Sequence, residues 1–458
     1  MGSRKVNIQS FDKAYFLGVG GIGMSALARY FNTRGFNVAG YDKTQSPLTD
    51  VLSEEGVAIH FEDLGAEIPA DYLDNEKVLI VYTPAIPDDM QELNYFISHG
   101  FTVLKRAEVL GLITRNSKAL GVAGTHGKTT TSTMLAHILN ESTVGCNAFL
   151  GGIATNFNSN FVAHKTSEWT VIEADEFDRS FLQLSPFASI VTSTDADHLD
   201  IYGDNELFLD GFKQYIELIN PAGFTIMQAS IDLPATNKIT YGLDVDADFV
   251  GSNLRLDNDV FLMDVKSKLG EWNNVELGVP GTHNAENALA CIALCVQLEL
   301  TEEEIRSALK SFAGVKRRFE YHVRSEKLIY IDDYAHHPTE INALLDSIAL
   351  LYPGKKVTGV FQPHLFSRTR DFFAEFTRAI SRLDEAILLP IYPARELPIE
   401  GITSDALLAD VSSSSKHVMS PNDALEFLST ISEGVVLTIG AGDIDRIVPE
   451  LKQRLSVK

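Results

Sequence analysis

The sequence is poor in cysteine and in basic residues, and it lacks long apolar runs. Three cysteines in 458 residues are too few for a disulfide framework, which favours buried thiols in a reducing compartment. Lysine and arginine total 38 against 62 aspartates and glutamates, a formal net charge of −24. The chain therefore lacks the basic surface of a protein that coats nucleic acid. No apolar run of about 18 residues is present, which predicts no membrane insertion.

The remaining composition is that of a folded protein with several domains. Hydrophobic residues make up 45% of the chain and charged residues 22%, whereas disordered chains contain fewer apolar residues. At roughly 100–200 residues per domain, the length predicts two to four domains. The N-terminal stretch MGSRKVNIQSFDKAYF lacks the apolar core of a signal peptide, and we expect a cytoplasmic protein.

Short apolar strands alternate with helical patterns in three successive stretches of the chain. This alternation predicts an α/β fold with parallel sheets. The pattern breaks around Thr114–Lys118 and Phe312–Arg318, so we predict three domains at residues 1–115, 116–317 and 318–458. Within the second domain, short alternating stretches over Tyr241–Gly278 predict a small antiparallel sheet beside the parallel one.

A glycine-rich loop stands near the start of the chain. Gly18, Gly20 and Gly23 fit G-x-G-x-x-G between a predicted strand and a predicted helix, and Asp42 ends the next strand. Glycines let the backbone approach a diphosphate, and the helix N-terminus supplies N–H groups and a positive dipole. Taken alone, this loop indicates an NAD-dependent oxidoreductase, although any diphosphate compound could use the same cradle.

A second phosphate loop, GTHGKTTT at residues 124–131, follows another predicted strand. It departs from the strict G-x-x-x-x-G-K-[ST] pattern because Val122 lies five positions before Gly127. The shorter loop keeps the backbone N–H groups, and Lys128 can reach the β- and γ-phosphates while the Thr129 hydroxyl can bind Mg²⁺. Two phosphate loops in successive domains indicate an ATP-driven transfer onto a nucleotide-linked substrate.

Two acidic segments follow strands of the second domain, EADEFD at residues 173–178 and DADHLD at residues 195–200. Carboxylates at the carboxyl ends of parallel strands lie in the crevice where ligands bind. Mg²⁺ prefers oxygen ligands, so Glu173 is the first candidate for a metal ligand. On chemical grounds alone, His198 is more typical of a hydrogen-bonded loop histidine.

Seven motifs, in fixed order along nearly the whole chain, resemble those of the Mur ligases, which build peptidoglycan. They are GTHGKTTT, EADEFDRSF, DADHLD, GTHNAENALA, VKRRFE, DDYAHHPTEI and QPHLFSRTR. The resemblance implies an N-terminal Rossmann-like domain that binds a UDP-sugar and a central P-loop ATPase domain. It implies a C-terminal Rossmann-like domain that carries the incoming amino acid.

The resemblance is greatest to the alanine-adding branch of that family and implies an ATP-dependent ligase. ATP would phosphorylate the carboxylate of UDP-N-acetylmuramate, and the amino group of L-alanine would attack the acyl phosphate to give an amide, ADP and phosphate. The implied partners are UDP-N-acetylmuramate, L-alanine and ATP, with Mg²⁺ as cofactor. The expected assembly is a monomer or a weak homodimer.

The resemblance also implies roles for individual residues. It makes Lys128, Glu173, His198 and Arg318 the catalytic group, with Thr129, Glu173 and His198 as metal ligands. The implied ATP contacts are Gly124, Thr125, His126, Gly127, Lys128, Thr129, Thr130, Asn284, Asn287, Arg318, Asp332 and Asp333. The implied UDP-sugar contacts are Gly18, Gly20, Gly21, Ile22, Gly23, Asp42, Thr83, Pro84, Ala85 and His126. The implied amino-acid contacts are His336, His364 and Arg368.

The chain departs from the family pattern at Leu365, where relatives often have arginine. Lys213 lies near the position of a carbamylated lysine in several relatives, but a surface lysine is the simpler interpretation. Three alternatives stay open: a sister ligase that recycles a tripeptide onto the same UDP-sugar, the oxidoreductase, and a P-loop switch or motor protein. The last two leave one of the phosphate loops or the C-terminal motifs unexplained.

Overall fold

The computed structural model describes residues 6–195, 205–257, 260–394 and 396–457. The chain forms two compact units. The first comprises the described residues of Met1–Asn253, Met263–Leu277 and Glu286–Ala313. The second comprises those of Leu254–Leu262, Gly278–Ala285 and Gly314–Lys458. Within the described residues, no helix is long and apolar enough to cross a membrane.

The first unit begins with a five-stranded parallel sheet, in the order β3-β2-β1-β4-β5. Its strands are β1 (Lys13–Leu17), β2 (Asn37–Tyr41), β3 (Ala58–His60), β4 (Val78–Tyr82) and β5 (Thr102–Lys105). The central residues of β1 and β4 are buried on both faces, as in a sheet covered by helices. From β1 the chain forms β2 and β3 on one side and then crosses over to form β4 and β5 on the other side of β1. The crevice between the ends of β1 and β4 is therefore a topological switch point.

The same unit contains most of a ten-stranded sheet, in the order β15-β14-β13-β12-β11-β10-β6-β9-β7-β8. Its strands are β6 (Lys118–Ala123), β7 (Asn147–Ala154), β8 (Ser159–Val162), β9 (Trp169–Ala174), β10 (Pro186–Val191), β11 (Thr225–Gln228), β12 (Lys238–Leu243), β13 (Phe249–Asp257), β14 (Val260–Ser267) and β15 (Gly270–Leu277). The predicted antiparallel patch is not a separate sheet. Its strands continue the central sheet at one edge, and β12 pairs with β13 in parallel.

The second unit has a six-stranded sheet, in the order β16-β17-β21-β18-β19-β20. Its strands are β16 (Glu320–Arg324), β17 (Leu328–Asp333), β18 (Val357–Phe361), β19 (Glu385–Leu388), β20 (Ser415–Val418) and β21 (Gly434–Ile439). Only β16 runs antiparallel to its neighbour, and the other strands pair in parallel. The carboxyl ends of β17, β18 and β21 therefore meet at one edge.

Helices cover these sheets. Those described are α1 (Ile22–Thr33), α2 (Pro47–Glu54), α3 (Gln91–Ser98), α4 (Arg106–Thr114), α5 (Lys128–Glu141), α6 (Asn205–Glu217), α7 (Thr282–Gln297), α8 (Glu302–Ser311), α9 (Pro338–Leu351), α10 (Phe366–Asp371), α11 (Phe373–Ile380), α12 (Ser404–Ala409), α13 (Pro421–Leu428) and α14 (Val448–Leu455). Cys291 and Cys295 are buried thiols on α7, as their spacing predicts, and Cys146 is also buried.

Candidate active site

The first glycine loop lies at the switch point of the N-terminal sheet. Gly18 follows β1 with φ of +88°, and a Cβ there would lie 2.6 Å from the Thr83 methyl group at the end of β4. The Gly20 N–H donates to Asp42 Oδ2 at 2.8 Å. Only glycine fits this turn, which brings the ends of β1, β2 and β4 together. Asp42 thus contacts the loop itself as well as facing the crevice.

The other residues assigned to the UDP-sugar lie around the same loop. Gly21 precedes α1 and Ile22 is its first residue, so the N-terminus of a 12-residue helix opens at the loop. Pro84 and Ala85 are exposed on the turn after β4. This arrangement presents backbone N–H groups and a positive helix end to solvent, as a diphosphate site requires.

The second phosphate loop connects β6 to α5. Gly127 has φ of +81° and precedes α5, where a Cβ would lie 2.8 Å from Asn287 Oδ1. The loop after β10 fixes the opposite side, because Ser193 Oγ accepts from the His126 N–H at 2.8 Å and Ser193 O accepts from the Thr125 N–H at 3.2 Å. Gly124 has φ of +138°, which favours glycine. The protein's own contacts therefore hold the loop from both sides.

Lys128 is the first residue of α5, and its ammonium is surrounded by oxygen atoms. It donates to Gly124 O at 2.6 Å, to Thr125 O at 3.2 Å and to Glu176 Oε1 at 2.8 Å. Burial lowers the pKa of Lys128, but the neighbouring carboxylates, Glu176 first, outweigh burial and leave the pKa above its ordinary value. The ammonium is therefore charged and held over the loop, where it can bind phosphate oxygens.

Glu173 ends β9 beside the phosphate-loop strand, paired in register with Val122. Its carboxylate packs so closely on Gly151 that a Cβ at that glycine would overlap it. Thr129 and Thr130, in the first turn of α5, are each 9% exposed. Two hard oxygen donors, the Glu173 carboxylate and the Thr129 hydroxyl, thus come from adjoining strand and helix ends.

One cavity connects the first glycine loop with the acidic end of β9. It has a volume of about 160 Å³ and is lined from the N-terminal sheet by Ile22, Gly23 and Arg106, and from the central sheet by Gly151, Glu173 and Asp175. The Arg106 guanidinium lies 3.6 Å from Asp175 Oδ2. A group bound at the glycine loop can therefore reach the acidic end of β9 through this cavity.

In the second unit, the two aspartates that end β17 point into the protein. Asp332 is fully buried, where Oδ1 accepts from the Thr438 hydroxyl at 2.6 Å and Oδ2 accepts from Arg317 Nε at 3.2 Å. Asp333 accepts from the Phe319 and Ala335 N–H groups, both at 2.7 Å. Burial raises the pKa of Asp333 to about 6. Both carboxylates, assigned to the nucleotide from sequence, hold the Arg317–Phe319 segment in this structure.

Arg318 and His336 share the carboxylate of Glu340. Arg318 Nη1 lies 3.7 Å from Glu340 Oε1, and the Arg318 guanidinium lies 5.0 Å from the centre of the Tyr334 ring. The His336 N–H donates to Glu340 Oε2 at 2.9 Å. Burial lowers the pKa of His336, with Glu340 opposing. Glu340 therefore orients both predicted site residues.

His364 and Arg368 follow β18. The His364 ring stacks on Tyr392 at 5.6 Å between centroids and lies 6.1 Å from His336. Burial lowers the pKa of His364 to about 4, so the ring is neutral at pH 7. Leu365 has φ of +70°, a strained value for a branched side chain, and Arg368 on α10 is 9% exposed. The structure places the His336 and His364 rings beside each other, and their role in an amino-acid pocket stays a prediction.

The remaining residues with assigned roles lie in different parts of the structure. Asn284 lies in the second unit and donates to Pro280 O at 2.6 Å, whereas Asn287 borders the phosphate loop at Gly127. Lys213 is exposed on α6. His198 lies outside the described residues. Glu176 lies within EADEFD but received no role from the sequence. The available signal was that a buried lysine such as Lys128 needs a counter-ion.

Three family models match successive parts of the chain: the Mur ligase family catalytic domain at residues 13–118, the Mur ligase middle domain at 122–295 and the Mur ligase glutamate ligase domain at 317–442. A UDP-N-acetylmuramate–L-alanine ligase of Cytophaga hutchinsonii is 47% identical over 454 residues, covering 98% of this chain and 97% of that protein. The chain belongs to the Mur ligase family. A ligase of the same name from Flavobacterium psychrophilum is 49% identical over 453 residues, covering 99% of this Mur ligase and 100% of that protein.

Solved structures agree with the fold of this Mur ligase. The UDP-N-acetylmuramate-alanine ligase MurC of Thermotoga maritima superposes with a TM-score of 0.81 at 27% identity, covering 96% of this chain and 98% of that one. A murein peptide ligase of Psychrobacter arcticus gives a TM-score of 0.71 at 24% identity, covering 97% and 98% of the two chains. The second likeness concerns the fold alone. The predicted three-domain α/β architecture is confirmed.

Proposed function

We propose that this Mur ligase joins L-alanine to the carboxylate of UDP-N-acetylmuramate, with conversion of ATP to ADP and phosphate, as a step of peptidoglycan synthesis. The observation that carries the proposal is the cavity lined by both Gly23 and Glu173. A sugar carboxylate bound beyond the first glycine loop and a phosphate bound at Lys128 would meet there. The same activity is named for the relatives that share 47% and 49% of their residues with this chain.

For this reaction, the phosphate loop must supply positive charge and hold the reacting groups in position. A carboxylate is a poor electrophile until phosphorylation converts one oxygen into a leaving group. Negative charge develops on the transferred phosphoryl group, and the Lys128 ammonium with the α5 N-terminus stabilises it. Arg106, at the other side of the cavity, is placed to attract the substrate's own negative groups. Binding and orientation therefore account for most of what these side chains do.

The donor set at the end of β9 fits Mg²⁺. The Glu173 carboxylate and the Thr129 hydroxyl are hard oxygen ligands, and the close packing of Glu173 on Gly151 fixes the carboxylate in one place. These two residues would hold the ion, and His198 would add a nitrogen ligand. When bound, Mg²⁺ would neutralise charge on the phosphate oxygens.

The proposed alanine pocket lies in the second unit. Arg368 would bind the alanine carboxylate, since a guanidinium matches that group in shape and charge. His364, whose pKa is about 4, is a poor base but a good neutral hydrogen-bonding partner for the amino group. Arg318 and Asn284 are proposed nucleotide contacts, as the sequence predicted. We propose no ribose contact for Asp332 in this arrangement, because its carboxylate is fully buried.

The nearest alternative is tripeptide recycling onto the same UDP-sugar. It is disfavoured because the relatives at 47% and 49% identity carry the alanine-ligase name, whereas the murein peptide ligase is similar at 24%. An NAD-dependent oxidoreductase would leave GTHGKTTT unused, and a P-loop switch would leave the Arg318 and His336 group unused.

The deciding experiment is phosphate release from ATP by the purified full-length protein. We expect release only with UDP-N-acetylmuramate and L-alanine together, and mass spectrometry should find the UDP-N-acetylmuramoyl-alanine product. Replacing alanine by the tripeptide tests recycling directly. Release with the tripeptide but not with alanine would reverse the assignment, and release without UDP-sugar would indicate a simple ATPase.

A further inference from the structure

A half-buried cluster in the second unit, outside the proposed catalytic groups, consists of Glu320, His322 and Asp332. One ligand-type atom from each residue lies within 4.8 Å of the other two. Glu320 and Asp332 are directly opposite each other on the antiparallel pair β16–β17. Cross-strand partners have closely spaced Cβ atoms, which places the two carboxylates side by side.

The histidine lies on the same side of β16 as Glu320, because residues two positions apart on a strand share a face. The register of β16 shifts between Tyr321 and Val323, so His322 is the additional residue of a β-bulge and has no cross-strand partner. His322 Nε2 lies 4.0 Å from Glu320 Oε2, and the imidazole lies 5.1 Å from the Tyr330 ring.

His322 is more than nine-tenths buried, since its side chain is 7% exposed. Among the described residues, neither ring nitrogen has a hydrogen-bond partner. Buried polar atoms without partners are uncommon in folded proteins, and each needs a physical explanation. A ligand bound between the imidazole and the two carboxylates would explain the unpaired ring nitrogens.

Hydrogen bonds from neighbouring residues orient both carboxylates, as is usual for carboxylates that bind metal ions. The Thr438 hydroxyl donates to Asp332 Oδ1 at 2.6 Å, and Arg317 Nε donates to Asp332 Oδ2 at 3.2 Å. The Arg317 N–H donates to Glu320 Oε2 at 2.8 Å. Carboxylate ligands of metal ions typically have such partners. Around the cluster, the carboxylates of Glu320, Asp332 and Asp445 outnumber the cations Arg317 and Lys452, which leaves a net negative charge that can accept a divalent cation.

We propose that Glu320, His322 and Asp332 form a binding site for one divalent transition-metal ion of the Zn²⁺ class. One nitrogen and two oxygen donors match the preference of Zn²⁺, which binds histidine and carboxylate ligands at about 2.0–2.2 Å. Tetrahedral ligands at that distance lie about 3.4 Å apart. The 4.0 Å between His322 Nε2 and Glu320 Oε2 therefore needs to shorten only slightly when the ion binds. This site is distinct from the oxygen-donor set at Glu173 and Thr129 and does not rest on the ligase proposal.

The test is isothermal titration of the metal-stripped full-length protein with ZnCl₂, in excess Mg²⁺ so that oxygen-donor sites are occupied. We expect one saturable site, and we expect His322→Gln to weaken its affinity at least about tenfold. Glu320→Gln, which keeps the carbonyl oxygen that accepts from Arg317, should also weaken it. His417→Gln, at an exposed histidine on β20, is the matched control and should bind like the wild type.

Titration with Co²⁺ gives an independent readout, since a tetrahedral nitrogen–oxygen site absorbs visible light and a hydrated ion hardly does. The band should appear in the wild type and be lost in His322→Gln. Melting curves in EDTA establish that the variants are folded. Absence of saturable Zn²⁺ binding, or equal affinity in wild type and His322→Gln, would overturn the proposal.

Discussion

Lys128 and Glu176 form a buried ion pair at the second phosphate loop, with the ammonium 2.8 Å from each carboxylate oxygen. The lysine side chain is 13% exposed and the glutamate 1%. Burial raises the pKa of Glu176 to about 7, against the opposing effect of Lys128. The Lys128 ammonium, which we propose binds phosphate, is thus held by a carboxylate that ATP would have to displace.

Glu176→Gln should therefore change ATP binding and turnover in opposite directions. Without the carboxylate charge, ATP competes only with the backbone carbonyls for Lys128, so we expect a lower KM for ATP. We expect a lower kcat because the lysine is less firmly placed, and a loss of about 1–3 kcal/mol of unfolding free energy. Steady-state kinetics and urea unfolding measure the three quantities.

The matched control is Glu168→Gln, which breaks the exposed Lys118–Glu168 pair of 2.7 Å. An exposed pair contributes about 0–1 kcal/mol, so its kinetics and stability should stay close to wild type. An unchanged KM for ATP in Glu176→Gln would show that the carboxylate does not compete with phosphate.

Gly18→Ala should damage the first glycine loop. The residue would have to keep φ of +88° and place its Cβ 2.6 Å from Thr83, so both strain and overlap oppose it. We expect UDP-sugar binding, measured by isothermal titration, to weaken at least about tenfold. Gly35→Ala, just beyond the far end of α1, is the control, since it imposes a similar strain at φ of +83° but has no atom within 4 Å of its Cβ. Equal binding by the two variants would contradict a role for the turn.

Arg368→Ala should raise the KM for L-alanine far more than the KM for ATP. Loss of a buried charged hydrogen bond to a carboxylate costs about 2–4 kcal/mol, or roughly 30-fold or more in affinity. Arg370→Ala, on the same helix but exposed and paired with Asp371, should leave both constants near wild type. If the two variants raise the alanine KM equally, the pocket lies elsewhere.

Stability should fall in mild acid because of His283. Burial, helped by Arg318, lowers the pKa of His283 to about 4, against about 6.5 in the unfolded chain. Below about pH 6.5 the unfolded state binds the proton more readily, so this stability is complete above that pH and is lost progressively toward pH 4. We expect about 1 kcal/mol to be lost between pH 7.5 and pH 5.5.

Urea unfolding of His283→Gln at those two pH values checks this. The variant should lose less stability than the wild type, whereas His99→Gln, at an exposed histidine, should lose as much as the wild type. An identical loss in His283→Gln and wild type would assign the acid sensitivity to other groups.

The apolar stretch Val78–Tyr82 predicts a strand, and β4 has the same bounds because continuous apolar residues mark a strand buried on both faces. The stretch Trp169–Ala174 predicts β9 correctly at both ends, although Glu173 within it is only partly buried. The stretch Ser189–Ser193 also predicts a strand, but the observed strand runs from Pro186 to Val191. Thr192 and Ser193 leave the sheet because their side chains and carbonyl groups bind the phosphate loop, a long-range demand that local hydrophobicity does not record.

The sequence by itself determined the two phosphate loops and the order of the domains. Glycine at a turn, lysine at a helix start and alternation of strands and helices act through neighbouring residues, so their effect is readable along the chain. Only the tertiary structure decided that Glu176 binds Lys128, that Arg106 approaches Asp175, and that Asp332 lies beside Glu320 and His322. These contacts depend on strand order and register, because residues far apart in sequence meet only when the sheets have formed.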